Sequence, residues 1–158
     1  MAIIKRYSGN PILTKDDIPY EVATVHNAGA IKFKDKYILL FRSHLLNGRS
    51  IIGIAESIDG YNFKVRPEPF MTPSTAGDFK QYEEFGVEDP RITFIDGVYL
   101  ITYSAYSKYG VRIGLAKTND FNNREYGVLI KKRIISNVSG TILATQKGTI
   151  GLAIGLDF

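Results

Sequence analysis

Residues 85–106 read FGVEDPRITFIDGVYLITYSAY, and this stretch sets the reading of the whole chain. RITFI and VYLITYSAY are rich in β-branched and aromatic residues, and they flank an Asp-Gly pair. That pattern predicts a strand, a tight turn and a returning strand. Glu88, Asp89, Pro90 and Arg91 stand at the mouth of the first strand. Two carboxylates and a guanidinium there make either a salt-bridged corner or the working end of an active site.

The same pattern recurs upstream. AGAIKF (28–33) and YILLFRS (37–43) flank Lys34, Asp35 and Lys36, and SIIGIAES (50–57) follows with a turn, IDGYNF. IGIAESID at 52–59 matches IGLAKTND at 113–120 with an offset of 61 residues. Phe33 and Asp35 fall on Phe94 and Asp96 at that offset, and Ser43 falls on Ser104. No segment carries helical periodicity over twelve or more residues, which removes the crossover helices of a parallel α/β fold. A repeat of this size with three or four antiparallel strands is a propeller blade with its loops. A β-sandwich also fits short strands with turn signals.

The expected fold is therefore all-β and of propeller type, in one partial domain covering 1–158. The first blade spans 28–65, the second 89–126, and 131–158 form an atypical tail. At one blade per repeat the 158 residues supply about two and a half blades, whereas closure takes at least about four. The tail, KKRIISNVSGTILATQKGTIGLAIGLDF, has no acidic residue before Asp157 and predicts a hairpin around Gln146, Lys147 and Gly148. The expectation is a fragment, or the product of a truncated or frame-disrupted gene. Its unpaired edge would invite self-association.

Composition narrows the function. Hydrophobic residues make up 44% and charged residues 23%, as in ordinary soluble domains. The net charge is +4, but Lys131, Lys132 and Arg133 form the one basic run, which argues against nucleic acid as partner. A diffuse positive balance suits a small anion equally well. The absence of Cys excludes disulfides and thiolate metal sites. Two His, His26 and His44, without an HExxH pattern argue against a metal centre. MAIIKRYSGNPIL at the N-terminus lacks an apolar run fit for a signal peptide or membrane span. The expected compartment is the cytoplasm, with no membrane contact.

The repeat also selects candidate site residues. Subtracting the offset from Glu88 gives Asn27, before the leading strand of the first blade. Leading strands line a propeller's axis, so Asn27 and the Glu88–Asp89 pair are expected at one axial pocket. A residue before proline favours extended backbone, which would send Asp89 and Arg91 to one side and Glu88 to the other. A salt bridge between Asp89 and Arg91 would pin the strand mouth; it would also favour the charged carboxylate, whereas a general acid must hold its proton. Arg42 ends the apolar ILLFRS, either as a strand-end charge in solvent or as a bidentate clamp on sugar or phosphate. Tyr103, near the matching place in the second blade, is either a stacking platform or core. His26 alternates away from Asn27 and reads as packed.

VHNAGAI, YILLFRS, GVEDPRITFIDGVYLITYSAY and RIGLAKTNDF together resemble the N-terminal half of glycoside hydrolase family 130, over roughly residues 8 to 130. The resemblance implies a five-bladed β-propeller and inverting phosphorolysis of β-mannosides to mannose 1-phosphate. It implies Asp89 as the general acid, acting through a sugar hydroxyl, and Asn27 and Arg42 as holders of the mannosyl unit. Glu88, Arg91 and Tyr103 would support them. The implied partners are a β-mannoside oligosaccharide and inorganic phosphate as co-substrate, with no cofactor. Phosphate is already an anionic nucleophile, so a second catalytic carboxylate is not needed. The family's later Arg-Asn and His-Arg-Pro segments, which hold phosphate, have no counterpart in 131–158. The alternatives are an inactive fragment, or a hydrolytic or glycan-binding propeller relative.

Overall fold

The computed structural model describes residues 5–130, 138–144 and 150–156. Four strands, β1 (Thr24–Phe33), β2 (Lys36–His44), β3 (Ser50–Ser57) and the short β4 (Lys64–Val65), form one antiparallel unit. A six-residue helix, α1 (Gly77–Tyr82), lies in the connection to a second unit. That unit comprises β5 (Gly86–Ile95), β6 (Val98–Ser107), β7 (Gly110–Thr118) and β8 (Glu125–Ile130). A single parallel bridge, Ser50 to Gly86, joins β3 to β5. The last strands, β9 (Val138–Ala144) and β10 (Ile150–Leu156), pair antiparallel as the expected hairpin. The turn expected at Gln146, Lys147 and Gly148 lies outside the described residues.

The run ILLF in β2 is apolar on both faces because both faces are covered. Ile38 and Leu40 join Ile52 and Ile54 to face the second unit's Val87, Ile101, Tyr103 and Ala105. Leu39 and Phe41 face the other way, onto Ile18, Leu13, Tyr20 and Val22 of the segment that precedes β1. Strand alternation assigns neighbouring residues to opposite faces, so an uninterrupted apolar run marks a strand buried twice. Phe121 fills the junction between the units, edge-on to Phe33 at 5.3 Å and 4.8 Å from Tyr99.

The two units repeat, with an offset that changes along the chain. From β3 onward it is 61, as the sequence indicates. Asp59 accepts from the backbone N–H groups of Tyr61 and Asn62, and Asp120 accepts from those of Asn122 and Asn123. In the first two strands it is 62. Phe33 closes β1 against Lys36 as Ile95 closes β5 against Val98. The β2–β3 connection between His44 and Ser50 is one residue longer than that between Tyr106 and Val111, which accounts for the step. The equivalences of Phe33 with Phe94 and of Ser43 with Ser104 are thereby corrected by one residue. Phe94 is exposed, whereas Phe33 is core.

Each leading strand carries the same irregularity. Register shifts between His26 and Gly29 in β1 and between Glu88 and Arg91 in β5. Inside these bulges Asn27 (φ 47°) and Asp89 (φ 51°) adopt left-handed backbone. Asn and Asp tolerate that region better than other non-glycine residues, which suits them to these positions. The extended backbone expected at Asp89 from its proline neighbour is thus corrected: the bulge overrides the local preference. The two bulges approach so closely that a Cβ on Gly29 would lie 2.6 Å from the Pro90 carbonyl oxygen.

Gly29→Ala should therefore push the leading strands apart and cost about 1–3 kcal/mol. Urea denaturation reads this directly. An unchanged midpoint would show that β1 and β5 do not meet at their bulges.

Candidate active site

The bulges bring the acidic pair and Asn27 together around one cation. Arg42, on β2, donates from Nη1 to Asp89 Oδ1 at 3.1 Å and from Nη2 to Glu88 Oε1 at 2.7 Å. Its Nε donates to Ser50 Oγ at 3.2 Å, and Ser50 in turn donates to Glu88 Oε1 at 2.8 Å. Asn27 Nδ2 donates to Asp89 Oδ1 at 2.9 Å. The Arg42, Glu88 and Asp89 side chains are 16%, 13% and 21% exposed, so the ion pairs are sheltered but open on one side. Asp89 Oδ2 has no hydrogen-bond partner among the described residues.

This geometry revises four sequence expectations. Glu88 and Asp89 do not diverge to opposite sides, because the left-handed Asp89 turns the chain and both reach one guanidinium. Asp89 pairs with Arg42 rather than Arg91, whose Nη1 donates to the Pro90 carbonyl at 2.9 Å. Arg42 is not a solvated strand end, since four of its five N–H groups meet Ser50, Glu88, Asp89 and His44. The repeat partner of Asn27 is Asp89, one residue beyond the Glu88 that the uniform offset selects.

Tyr103 is separate from this cluster. It is 2% exposed and occupies the place of Phe41, each ring lying over a glycine of the next strand, Gly114 and Gly53 respectively. Its hydroxyl donates to Glu83 Oε1 at 2.6 Å, while the Ser74 N–H donates to Glu83 Oε2 at 2.7 Å. Burial raises the Glu83 carboxyl above its ordinary range, against the lowering effects of these two bonds and of Arg124. The same burial, with Glu83 beside it, pushes the Tyr103 hydroxyl up. Glu83 thus anchors the loop that delivers β5, and its N–H and C=O also brace Phe79 and Gly86.

Sequence reasoning missed Ser50 and His44. Both lie on the strand face that carries Arg42, and the alternation of 42 and 44 along β2 was the available signal. His44 Nε2 lies 2.9 Å from Arg42 Nη2, and His26 sits edge-on to His44 at 5.0 Å. Burial lowers the His26 pKa, with Arg42 and His44 adding to the effect. A cleft of about 500 Å³ opens beside Asn27, walled by Arg6, Asn10 and His26 over Val25, Leu39 and Phe41. Among the described residues no cluster of three or more metal-ligating side chains occurs, and no helix is long and apolar enough to cross a membrane.

Two outcomes follow from these contacts. Arg42→Met should leave Glu88 and Asp89 facing each other without their cation, at a cost of about 2–4 kcal/mol in denaturant unfolding; a cost near zero would mean the carboxylates are solvated. For Glu83, the raised folded value means the native state binds the extra proton. Its contribution to stability is full below the ordinary carboxyl value and is lost as pH rises through the raised one. The melting temperature of Glu83→Gln should lack that decline, and parallel pH profiles would assign it elsewhere.

The comparisons bear on the same residues. The family described as beta-1,4-mannooligosaccharide phosphorylase matches residues 2–147. Beta-1,2-mannobiose phosphorylase of Listeria innocua is 42% identical over 81 residues, covering 51% of this chain and 21% of the relative. The 1,2-beta-oligomannan phosphorylase of a Thermoanaerobacter species is 34% identical over 114 residues, covering 67% of this chain and 37% of the relative. A solved complex of beta-1,2-mannobiose phosphorylase from Listeria innocua with beta-1,2-mannobiose superposes with a TM-score of 0.67 at 27% identity, covering 77% of this chain and 49% of that one. The chain spans less than half the length of each of these relatives. It belongs to glycoside hydrolase family 130.

Proposed function

We propose that this chain carries the first two blades of a five-bladed β-mannoside phosphorylase, with Asp89 as the proton donor at its axial pocket. The observation that carries this reading is the asymmetry of the Asp89 carboxyl. Oδ1 is held by Asn27 and Arg42, while Oδ2 has no partner among the described residues. A proton carried by Asp89 therefore sits on Oδ2, where a bound sugar hydroxyl can receive it. Phosphate oxygen attacks the anomeric carbon and the bond to the leaving sugar breaks. The leaving oxygen takes the proton that Asp89 supplies through that hydroxyl, and mannose 1-phosphate results. Phosphate and the β-mannoside are the two partners, and no cofactor enters.

Arg42 and Asn27 have two roles in this reading. They fix Asp89, and their remaining polar groups, one Nη1–H and the Asn27 Oδ1, face the mannosyl unit. Glu88 holds the Arg42 fork in place, and Arg91 braces the bulge through Pro90. Tyr103 acts at a distance, through Glu83 and the loop before β5. The two Listeria and Thermoanaerobacter relatives favour β-1,2-linked mannosides as the substrate class.

The test incubates a full-length form that contains residues 1–158 with inorganic phosphate and either β-1,2- or β-1,4-mannobiose, and assays mannose 1-phosphate. Product with the β-1,2 substrate that disappears in Asp89→Asn, while mannoside affinity holds, is the expected result. Turnover unaffected by Asp89→Asn would remove Asp89 from the chemistry. A folded chain that binds mannobiose without turnover would be a glycan-binding relative.

A further inference from the structure

We infer that His44 is a positioning residue for the Arg42 fork, acting as a neutral imidazole whose Nε2 accepts from the guanidinium. The inference rests on the reading of Asp89 as proton donor, which Arg42 holds. A guanidinium can only donate, so the 2.9 Å contact between Arg42 Nη2 and His44 Nε2 makes that ring nitrogen the acceptor. The ring proton is then on Nδ1, which lies 3.1 Å from Thr24 Oγ1. That hydroxyl oxygen also faces the His44 backbone N–H at 3.4 Å, so Thr24 receives the residue twice. Thr24 is compatible with that tautomer, because its hydroxyl oxygen can accept from Nδ1–H.

The fork is planar, so its contacts are not independent. Nε is placed by Ser50, and the two Nη2 hydrogens are divided between Glu88 and His44. With those three acceptors set, Nη1 has one direction left, and it meets Asp89 Oδ1. Removing the His44 acceptor frees one Nη2 hydrogen and lets the plane turn about the Glu88 contact. Protonating His44 has a related effect, since Nε2 then presents a donor to a donor. The charged and titratable groups against the ring are Arg42 on its own strand and His26 on β1, and Arg42 in turn holds Glu88 and Asp89 on β5. His26 meets the His44 ring edge-on, with centroids 5.0 Å apart.

The deciding measurement is long-range nitrogen–proton NMR on the 158-residue chain, which needs no ligand. At pH about 8 the His44 ring should show a single tautomer protonated at Nδ1. The Arg42 Nε–H should exchange slowly at that pH. His44→Gln, whose side-chain oxygen restores an acceptor, should keep slow exchange. His44→Phe should exchange about fivefold faster, as expected for one lost hydrogen bond. A ring protonated at Nε2, or Arg42 exchange in a folded His44→Phe equal to wild type, would overturn the inference. The mannose 1-phosphate assay on the same variants separates the two readings. If product formation survives Asp89→Asn while the NMR pattern holds, the Asp89 assignment fails and the positioning of Arg42 by His44 stands.

Discussion

One guanidinium holds the two units together where it matters. Arg42 leaves β2 of the first unit and meets Glu88 and Asp89 of the second, and the parallel pairing of the units is a single bridge two residues away. Apolar packing of Ile38, Leu40, Ile52 and Ile54 against Val87, Ile101 and Ala105 supplies the bulk of the adhesion. It is non-directional, however, and cannot set the angle of a carboxylate. The five-donor fork can, because its hydrogens have fixed directions and each must find an acceptor when sheltered from water. Ser50, Glu88, Asp89 and His44 take four of the five hydrogens.

The bulges explain how two carboxylates come to one cation. In regular strand, adjacent side chains point to opposite faces, and Glu88 and Asp89 would part. A left-handed Asp89 adds a residue to one strand and turns both acids the same way, at a local backbone cost of about 1 kcal/mol or more. Asn27 does the same in the first unit, with no proline behind it. Strain repeated at equivalent places, converging on one contact, is the mark of a site assembled from a duplicated unit rather than of accident. Behind it, Glu83 and Tyr103 fix the loop from which β5 starts, in a buried pairing that favours a rigid approach to the bulge.

The family relationship and the site argue at different levels. Similarity over residues 2–147 establishes descent, and it does so for a chain covering less than half of its relatives' length. What this chain contributes chemically rests on its own atoms: a carboxyl with one oxygen held and one without partner, an arginine that is engaged rather than vacant, and an amide beside a cleft. Those groups can position a proton.

Much was legible in the sequence because it is local or periodic. The hairpin at Asp96–Gly97, the repeat of strands and the approach of Asn27 to the Glu-Asp-Pro-Arg stretch follow from spacing of two and from recurrence near sixty, while Arg42 joined them through the family resemblance. The same spacing misled by one residue, making Glu88 the partner of Asn27 and Tyr103 the partner of Arg42, because a connection shortened by one residue shifts the offset between strands. Tertiary structure alone decided which side Asp89 faces, that Arg42 rather than Arg91 is its counter-ion, and that Ser50 and His44 complete the cluster. The physical reason is that sequence specifies which faces of a strand are apolar. The direction of a charged group depends on bulges and on donors brought from another unit, and these exist only once the two units have packed.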